Sequence, residues 1–265
     1  MSVFLELFGE EMRRARQAAG LSQEDLAAKI SYSAAQVSAV ERAARRPSGD
    51  LADRVDTVLG LDGRMSRLLG AIRHEGARPE LRPWLIIEAE ATAIRSFQLS
   101  VIPGLLQTEA YARVALTAGG VLPPAQVEEQ ATLRIERQAV LFRDEPPQAV
   151  FVIDEQVLRR PVGGPEVMRE QLLHLARLSD GYPHIHIHVV PLSAGAYVGM
   201  DGPLAVATSP QGEVTCYLDG QLAGTLVESP TDVGAVLRRW EAVRGQALPI
   251  GQSRQLIGDV AEQWT

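Results

Sequence analysis

Cysteine is almost absent, with Cys216 standing alone in 265 residues. One thiol closes no disulfide within the chain and supplies no zinc site of the multi-cysteine kind, so it reads as a small hydrophobe on a buried strand. Lysine is as scarce. Lys29 is the only one, arginine carries the remaining positive charge, and a coding bias explains this better than chemistry does. Aromatic residues make up 5% of the chain, which favours core packing for any single one. Long apolar runs are missing too: nothing approaches the ~18 to 20 residues of a membrane span. Met1 to Glu10 lacks the basic start and apolar stretch of a secretory signal, so the expected location is cytoplasmic. Nor is there an excess of positive charge. The formal net charge is −7, which argues against a protein that coats nucleic acid indiscriminately through many phosphate contacts.

What is present is an ordinary globular composition, 46% hydrophobic and 22% charged. The length suits one large domain or a small domain followed by a medium one. Charge is uneven along the chain: the first 75 residues hold eleven acidic and eleven basic side chains, so the acidic surplus lies beyond them.

Leu5, Phe8, Met12, Ala15 and Ala19 fall at helical spacing and end at Gly20, where a left-handed residue suits a helix terminus. Ser22, with Asp25 three positions on, is an N-cap ahead of Leu26, Ala27 and Ile30. Eleven residues later Ser33 and Gln36 repeat the signal as a capping box before Val37 and Val40, predicting a third short helix to about Arg42. Pro47, Ser48 and Gly49 break the chain before Leu51, Val55, Val58 and Leu59 form a fourth helix, and Met65, Leu68, Leu69 and Ile72 a fifth. Gly76, Arg78, Pro79 and Pro83 read as a linker. The expected domains are residues 1–77, all-α, and 78–265.

From Leu21 to Ala27 and from Gln36 to Arg42 the sequence resembles the lambda-repressor-like Cro/cI helix-turn-helix family, also called the XRE family. The resemblance implies that the third helix enters the major groove, and modest specificity per half-site leads to the expectation of a homodimer on a roughly palindromic site with half-sites ~34 Å apart. It puts Ala34, Ala35, Gln36 and Ser38 at the bases and counts the capping Ser33 among the DNA-binding residues, with Gln36 as the candidate for a bidentate adenine contact and the alanines limited to thymine methyls. Gln23 would meet a phosphate at the second helix's N-terminus, and Arg42, Arg45 and Arg46 would flank the groove. Arg16 and Glu41 match a pair that is salt-bridged within that family.

Beyond the linker, helix is expected over 83–95, then an extended segment from Phe97 to Leu106 ending at the Pro103-Gly104 turn. Further helices are expected from Thr108 to Ala118, Pro123 to Phe142, Pro165 to Ser179 and Thr231 to Val243. Strands are expected over Ala149 to Ile153, His184 to Val190, Pro203 to Thr208 and Glu213 to Leu218. This order predicts a mixed α/β (α+β) domain with a modest sheet. The stretch Ile102 to Ala112, Arg134 to Leu141, Asp154 to Arg159, Met168 to Leu172, Val190-Pro191-Leu192 with Gly195, and Ser253 with Ile257 are similar to domain-of-unknown-function family 5753. That family stands behind this helix-turn-helix in actinobacterial regulators, and the resemblance implies developmental control and a small partner protein encoded by a neighbouring gene.

Other constellations are weaker. His184, His186 and His188 alternate, so one strand face carries three imidazoles, either a zinc site with an open position or the solvated side of a half-buried strand. Gly163-Gly164-Pro165 has no following lysine and is not a phosphate loop. Ser193, Ser209 and Ser229 lack the G-x-S-x-G setting of a hydrolase, so no enzymatic activity, cofactor or metal is expected. Asp154-Glu155 beside Arg159-Arg160 reads as an ion-pair cluster or a polar recognition site. Tyr111, Tyr197 and Trp240 are either partner anchors or core. Three functions compete: a sequence-specific transcription regulator whose C-terminal domain receives a protein or small-molecule signal, an antitoxin-like module that sequesters a small neighbouring protein, and, resting only on the histidines, a metal-dependent or hydrolytic enzyme tethered to DNA.

Overall fold

The computed structural model describes residues 3–73, 81–220 and 223–264. The chain divides into two compact units, Met1–Arg82 and Pro83–Thr265. The expected boundary at residue 78, with Gly76 and Pro79, lies outside the described residues.

The first unit is all-α: α1 (Val3–Ala18), α2 (Gln23–Ile30), α3 (Ala34–Glu41), α4 (Gly49–Leu59) and α5 (Arg64–Arg73). Phe8 and Met12 of α1, Leu26 and Ile30 of α2, Val37 and Val40 of α3, Leu51 and Val55 of α4 and Met65 of α5 meet in one core. Most of the periodic positions are therefore buried; Ala15, Leu59 and Leu68 are half-buried, and Ala19 and Val58 are exposed. α4 ends at Gly60 in the left-handed conformation. Asp56, buried near that end, accepts from the backbone N–H groups of Met65 and Ser66 at 2.8 and 2.9 Å, so a carboxylate on one helix caps the next.

The second unit is mixed α/β. Its helices are α6 (Arg82–Glu90), α7 (Glu109–Thr117), α8 (Pro124–Arg137), α9 (Glu155–Arg159), α10 (Pro165–Gly181), α11 (Pro230–Arg244) and α12 (Ile250–Gln263). Its strands are β1 (Ala93–Gln98), β2 (Gln148–Asp154), β3 (Ile185–Val190), β4 (Leu204–Thr208), β5 (Val214–Leu218) and β6 (Thr225–Val227). They form one sheet in the order β3-β2-β1-β4-β5-β6. β1, β2 and β3 run parallel, whereas β4, β5 and β6 return antiparallel. Phe97, Val152, Leu204 and Cys216 bury one sheet face against Val236 and Trp240 of α11.

Three differences from the sequence expectation have physical causes. The helix expected over 83–95 stops at Glu90, because Ala93 to Gln98 pairs on both sides, with β2 and β4, and that pairing overrides local helix preference. The helix expected to reach Phe142 turns into a 3-10 segment at Gln138, whose side-chain amide donates to the carbonyls of Gly104 and Gln107. The chain does not close with the helix ending near Val243. α12 follows, and its fully buried Ser253 accepts from the Val189 N–H at 3.0 Å and donates to the Leu248 carbonyl at 3.0 Å. Leu248 N–H donates to the Val189 carbonyl at 2.8 Å, so the outer edge of β3 is covered.

Candidate nucleic-acid interface

Local chemistry sets the α2–α3 pair. Ser22 and Ser33 each close a full capping box, with Asp25 and Gln36 returning to the cap's own N–H. Between them lie Ser31, Tyr32 and Ser33, and Ser31 takes the left-handed conformation at φ 59° that makes so short a turn possible. Small Ala27 is buried beside Val37 at the crossing. Across from them α1 approaches α3 so closely that a β-carbon on Gly9 would lie 2.7 Å from the carbonyl oxygens of Val40 and Glu41.

A buried polar knot holds this arrangement. The Arg16 guanidinium donates to both Glu41 oxygens, at 2.6 and 2.9 Å, and to the Leu21 carbonyl at 2.8 Å. Gln23 donates one amide hydrogen to Glu41 at 2.7 Å. The Arg16 guanidinium is held above its ordinary pKa, chiefly by its hydrogen bond to Glu41. Thus the pair expected from the family resemblance is present, and Gln23 joins it.

The residues expected at the bases are not equivalent. Ala35 is exposed at the start of α3, and Ser38 is half-buried one turn on. Ala34 packs on the core, which leaves its methyl directed inward rather than toward a groove. Ser33 is spent as the N-cap, and the Gln36 side-chain oxygen accepts from both the Ser33 N–H and its hydroxyl, at 3.0 and 3.1 Å. In this arrangement Gln36 keeps only its amide N–H groups for a base, so a bidentate adenine contact requires the capping box to open. Gln23 retains its second amide hydrogen for a phosphate. Glu24 and Asp25 share that first turn and offset the helix dipole there, with the Asp25 carboxyl held below the usual range chiefly by the Ser22 hydroxyl. Arg42, Arg45 and Arg46 are all exposed, and none is paired with a carboxylate among the described residues.

One cluster escaped sequence reasoning. The Tyr32 hydroxyl, in the α2–α3 turn, donates to Asp50 at 2.9 Å and meets the Ser48 hydroxyl at 2.9 Å. Arg54 donates to the other Asp50 oxygen and to the Ile30 carbonyl. No spacing rule links position 32 to 48 and 50, so only the folded chain shows that the turn is tied to the start of α4.

In the second unit the stretches that carry the family resemblance form a scaffold. Gln107 donates to the Ile102 carbonyl at 2.6 Å and accepts from Arg134 at 3.0 Å. Gln171 accepts from Thr108 N–H and donates to the Leu106 carbonyl, both at 2.7 Å, and is fully buried. Arg137 pairs with Glu88, which also accepts from Trp84. These side chains satisfy the backbone of a non-regular loop inside the fold. Tyr111 and Trp240 are core residues, not anchors, and Tyr197 donates to buried Asp154 at 2.6 Å. Asp154 thus caps α9 and Glu155 pairs with Arg159, the ion-pair alternative for that cluster.

The three histidines do not converge. The ring nitrogens of His184, His186 and His188 donate to three separate carbonyls, those of Leu141, Pro183 and Leu248. The strand is not a half-solvated one either: α10, α11 and α12 all pack on β3 and His188 is buried. No group of three His, Cys, Asp or Glu able to hold a metal occurs among the described residues. Burial pushes the Cys216 thiol up to about 11, away from reactivity. No helix among the described residues is long and apolar enough to cross a membrane.

Two capped helices joined by a three-residue turn form a helix-turn-helix, and a family model described as a helix-turn-helix domain matches residues 7–69. A second model, described as a domain of unknown function (DUF5753), matches residues 81–259, and the chain belongs to that family. No curated protein and no solved structure matches it. The helix-turn-helix assigns DNA binding and points to transcription regulation.

Proposed function

We propose that the chain is a sequence-specific, cytoplasmic transcription regulator of the XRE type, from an actinobacterial setting, that binds a near-palindromic operator as a homodimer. The observation that carries this reading is the exposed trio Arg42, Arg45 and Arg46, unpaired with any carboxylate among the described residues, directly after an α2–α3 pair tied together by Arg16, Gln23 and Glu41. The arginines supply phosphate contacts, while α3 presents Ala35, Ser38 and the free amide of Gln36 to base edges. Such short side chains make each half-site weakly selective, which is why two copies are needed.

The second unit, in this reading, carries no enzymatic activity and uses no cofactor. It receives a protein or small-molecule signal, the small protein encoded by a neighbouring gene being the leading partner. The test is binding of the purified chain to its own upstream DNA against random duplex, at fixed near-physiological salt, with and without that small protein. A specific complex altered by the partner supports the proposal. Equal affinity for random duplex, with tight binding to the small protein, replaces it with the sequestering module.

A further inference from the structure

The chain contains four adjacent arginine pairs, at 13–14, 45–46, 159–160 and 238–239, but only one is followed two positions later by a hydroxyl residue: Arg45-Arg46-Pro47-Ser48. The structure gives that coincidence a shape. Residues 46–48 are free of helix or strand, Ser48 has an extended backbone at φ −88° and ψ 163°, and Arg45, Arg46 and Ser48 are all exposed. An extended, solvent-facing serine with two guanidinium groups on its N-terminal side, neither paired with a carboxylate among the described residues, is what an acidic substrate cleft of a serine/threonine kinase can engage by charge.

We propose that Ser48 is a phosphorylation site for a basophilic serine/threonine kinase and that its modification releases the chain from DNA. The regulatory half of this inference rests on the DNA-binding reading above; the modification half does not. In the transfer, the Ser48 Oγ forms a bond to the γ-phosphorus of a nucleoside triphosphate. The bond to the β-phosphate oxygen breaks, the nucleoside diphosphate leaves, and the hydroxyl proton passes to the kinase's base.

Two local consequences follow from the hydrogen bonds. A phosphoserine carries close to two negative charges beside Arg45 and Arg46, so it competes with DNA phosphate for the same guanidinium groups and repels the duplex. The second concerns the turn. Tyr32 has one hydroxyl hydrogen and gives it to Asp50, so at the 2.9 Å contact Ser48 is the donor. Phosphorylation removes that donor hydrogen and sets a new anion next to the Asp50 carboxylate. Tyr32 then either loses its Ser48 partner or turns its hydrogen away from Asp50, and the tie between the α2–α3 turn and α4 is remade. The serine still suits its place as a helix cap, because an anion is favoured at a helix N-terminus.

The experiment treats the full chain with a basophilic kinase catalytic domain selecting arginine two and three positions before the acceptor, plus magnesium and ATP. Intact mass and peptide mapping read the site, and salt-matched DNA binding reads the effect. Ser48→Asn keeps a capping side chain without an acceptor, so it folds and binds DNA as the wild type does. One phosphoryl group at Ser48, none in Ser48→Asn, and roughly tenfold or greater loss of DNA affinity in the modified wild type alone is the expected result. Absence of modification at Ser48, or a fully modified chain that binds as tightly as before, overturns the proposal. If Ser48 is modified but the untreated chain shows no affinity for any duplex, the DNA-binding reading has failed and the modification site stands.

Discussion

Arg16 and Glu41, 25 residues apart, form a two-pronged ion pair whose side chains are only 9% and 2% exposed, at the point where α1 faces the end of α3. Their attraction matters less than the cost of separating them. Glu41→Ala leaves a buried guanidinium unpaired and should destabilise the first unit by about 3 to 5 kcal/mol. Replacing both residues by methionine should recover most of that loss. Denaturant unfolding followed by a probe in the first unit checks both, and a double variant no more stable than Glu41→Ala would contradict the argument.

Gly9 is required by contact, not by backbone freedom. Its added methyl would press on the Val40 and Glu41 carbonyls, which are backbone and cannot swing away. Gly9→Ala should therefore cost about 1 to 3 kcal/mol despite the better helix propensity of alanine. It should also displace the end of α3 and weaken DNA binding. A thermal midpoint equal to wild type would show that α1 has room to shift.

The two kinds of DNA contact separate by mutation. Arg46→Ala should weaken all sequences alike and reduce the salt slope by about one unit. Gln36→Ala should erode preference at one base position and, by losing half a capping box, also lower stability by about 0.5 to 1 kcal/mol. Titrations on operator variants at several salt concentrations distinguish them, and identical behaviour of the two variants would overturn the assignment.

Gln171 tests whether the most distinctive family segments serve the fold. Gln171→Leu orphans the Thr108 N–H and the Leu106 carbonyl in a buried site. The expected loss is about 2 to 5 kcal/mol in the second unit, read by chemical unfolding. DNA affinity of the still-folded fraction should be unchanged, and a loss confined to DNA binding would mean the loop has a direct functional role.

His188 sets a pH dependence with a definite sign. Its Nδ1–H donates to the Leu248 carbonyl, and its Nε2 is buried without a partner among the described residues. Burial, then Arg244 of α11 and His186 of the same strand, hold it below the ordinary value of 6.5, while the Leu248 hydrogen bond acts the other way. Above 6.5 the ring is neutral in both folded and unfolded chains and its stability contribution is complete. As the pH falls below 6.5 the unfolded chain takes the proton first, and stability is lost progressively down to the folded-state pKa. His174 of α10 is shifted in the same direction, so the wild-type decline is shared. His188→Gln should flatten the fall in thermal midpoint between about pH 7 and pH 5.5. An undiminished fall would assign it to His174.

What the sequence disclosed followed the range of the interactions. Capping boxes are local, so Ser22 with Asp25 and Ser33 with Gln36 were readable by spacing alone, as were Thr108 and the turn at Gly20. The Arg16 and Glu41 pair was visible only through family resemblance, and the Gln23 contact to Glu41 not at all. β1 was masked because Ala93, Ile94 and Arg95 suit a helix until strands on both sides claim their backbone groups. The same base-reading list that named Ala34 and Gln36 missed that one faces the core and the other is tied into its own cap, because a motif places a residue on a helix without saying what its side chain already holds.

The bond from Val189 N–H to the Ser253 hydroxyl spans 64 residues. During synthesis β3 therefore leaves the ribosome well before the serine that seals it. At about 5 to 20 residues per second that interval is roughly 3 to 13 s. For that time the strand's outer backbone groups have no partner, and any extended segment nearby can pair with them. The vulnerable moment of this chain is translational, and slow codons between β3 and α12 would lengthen it.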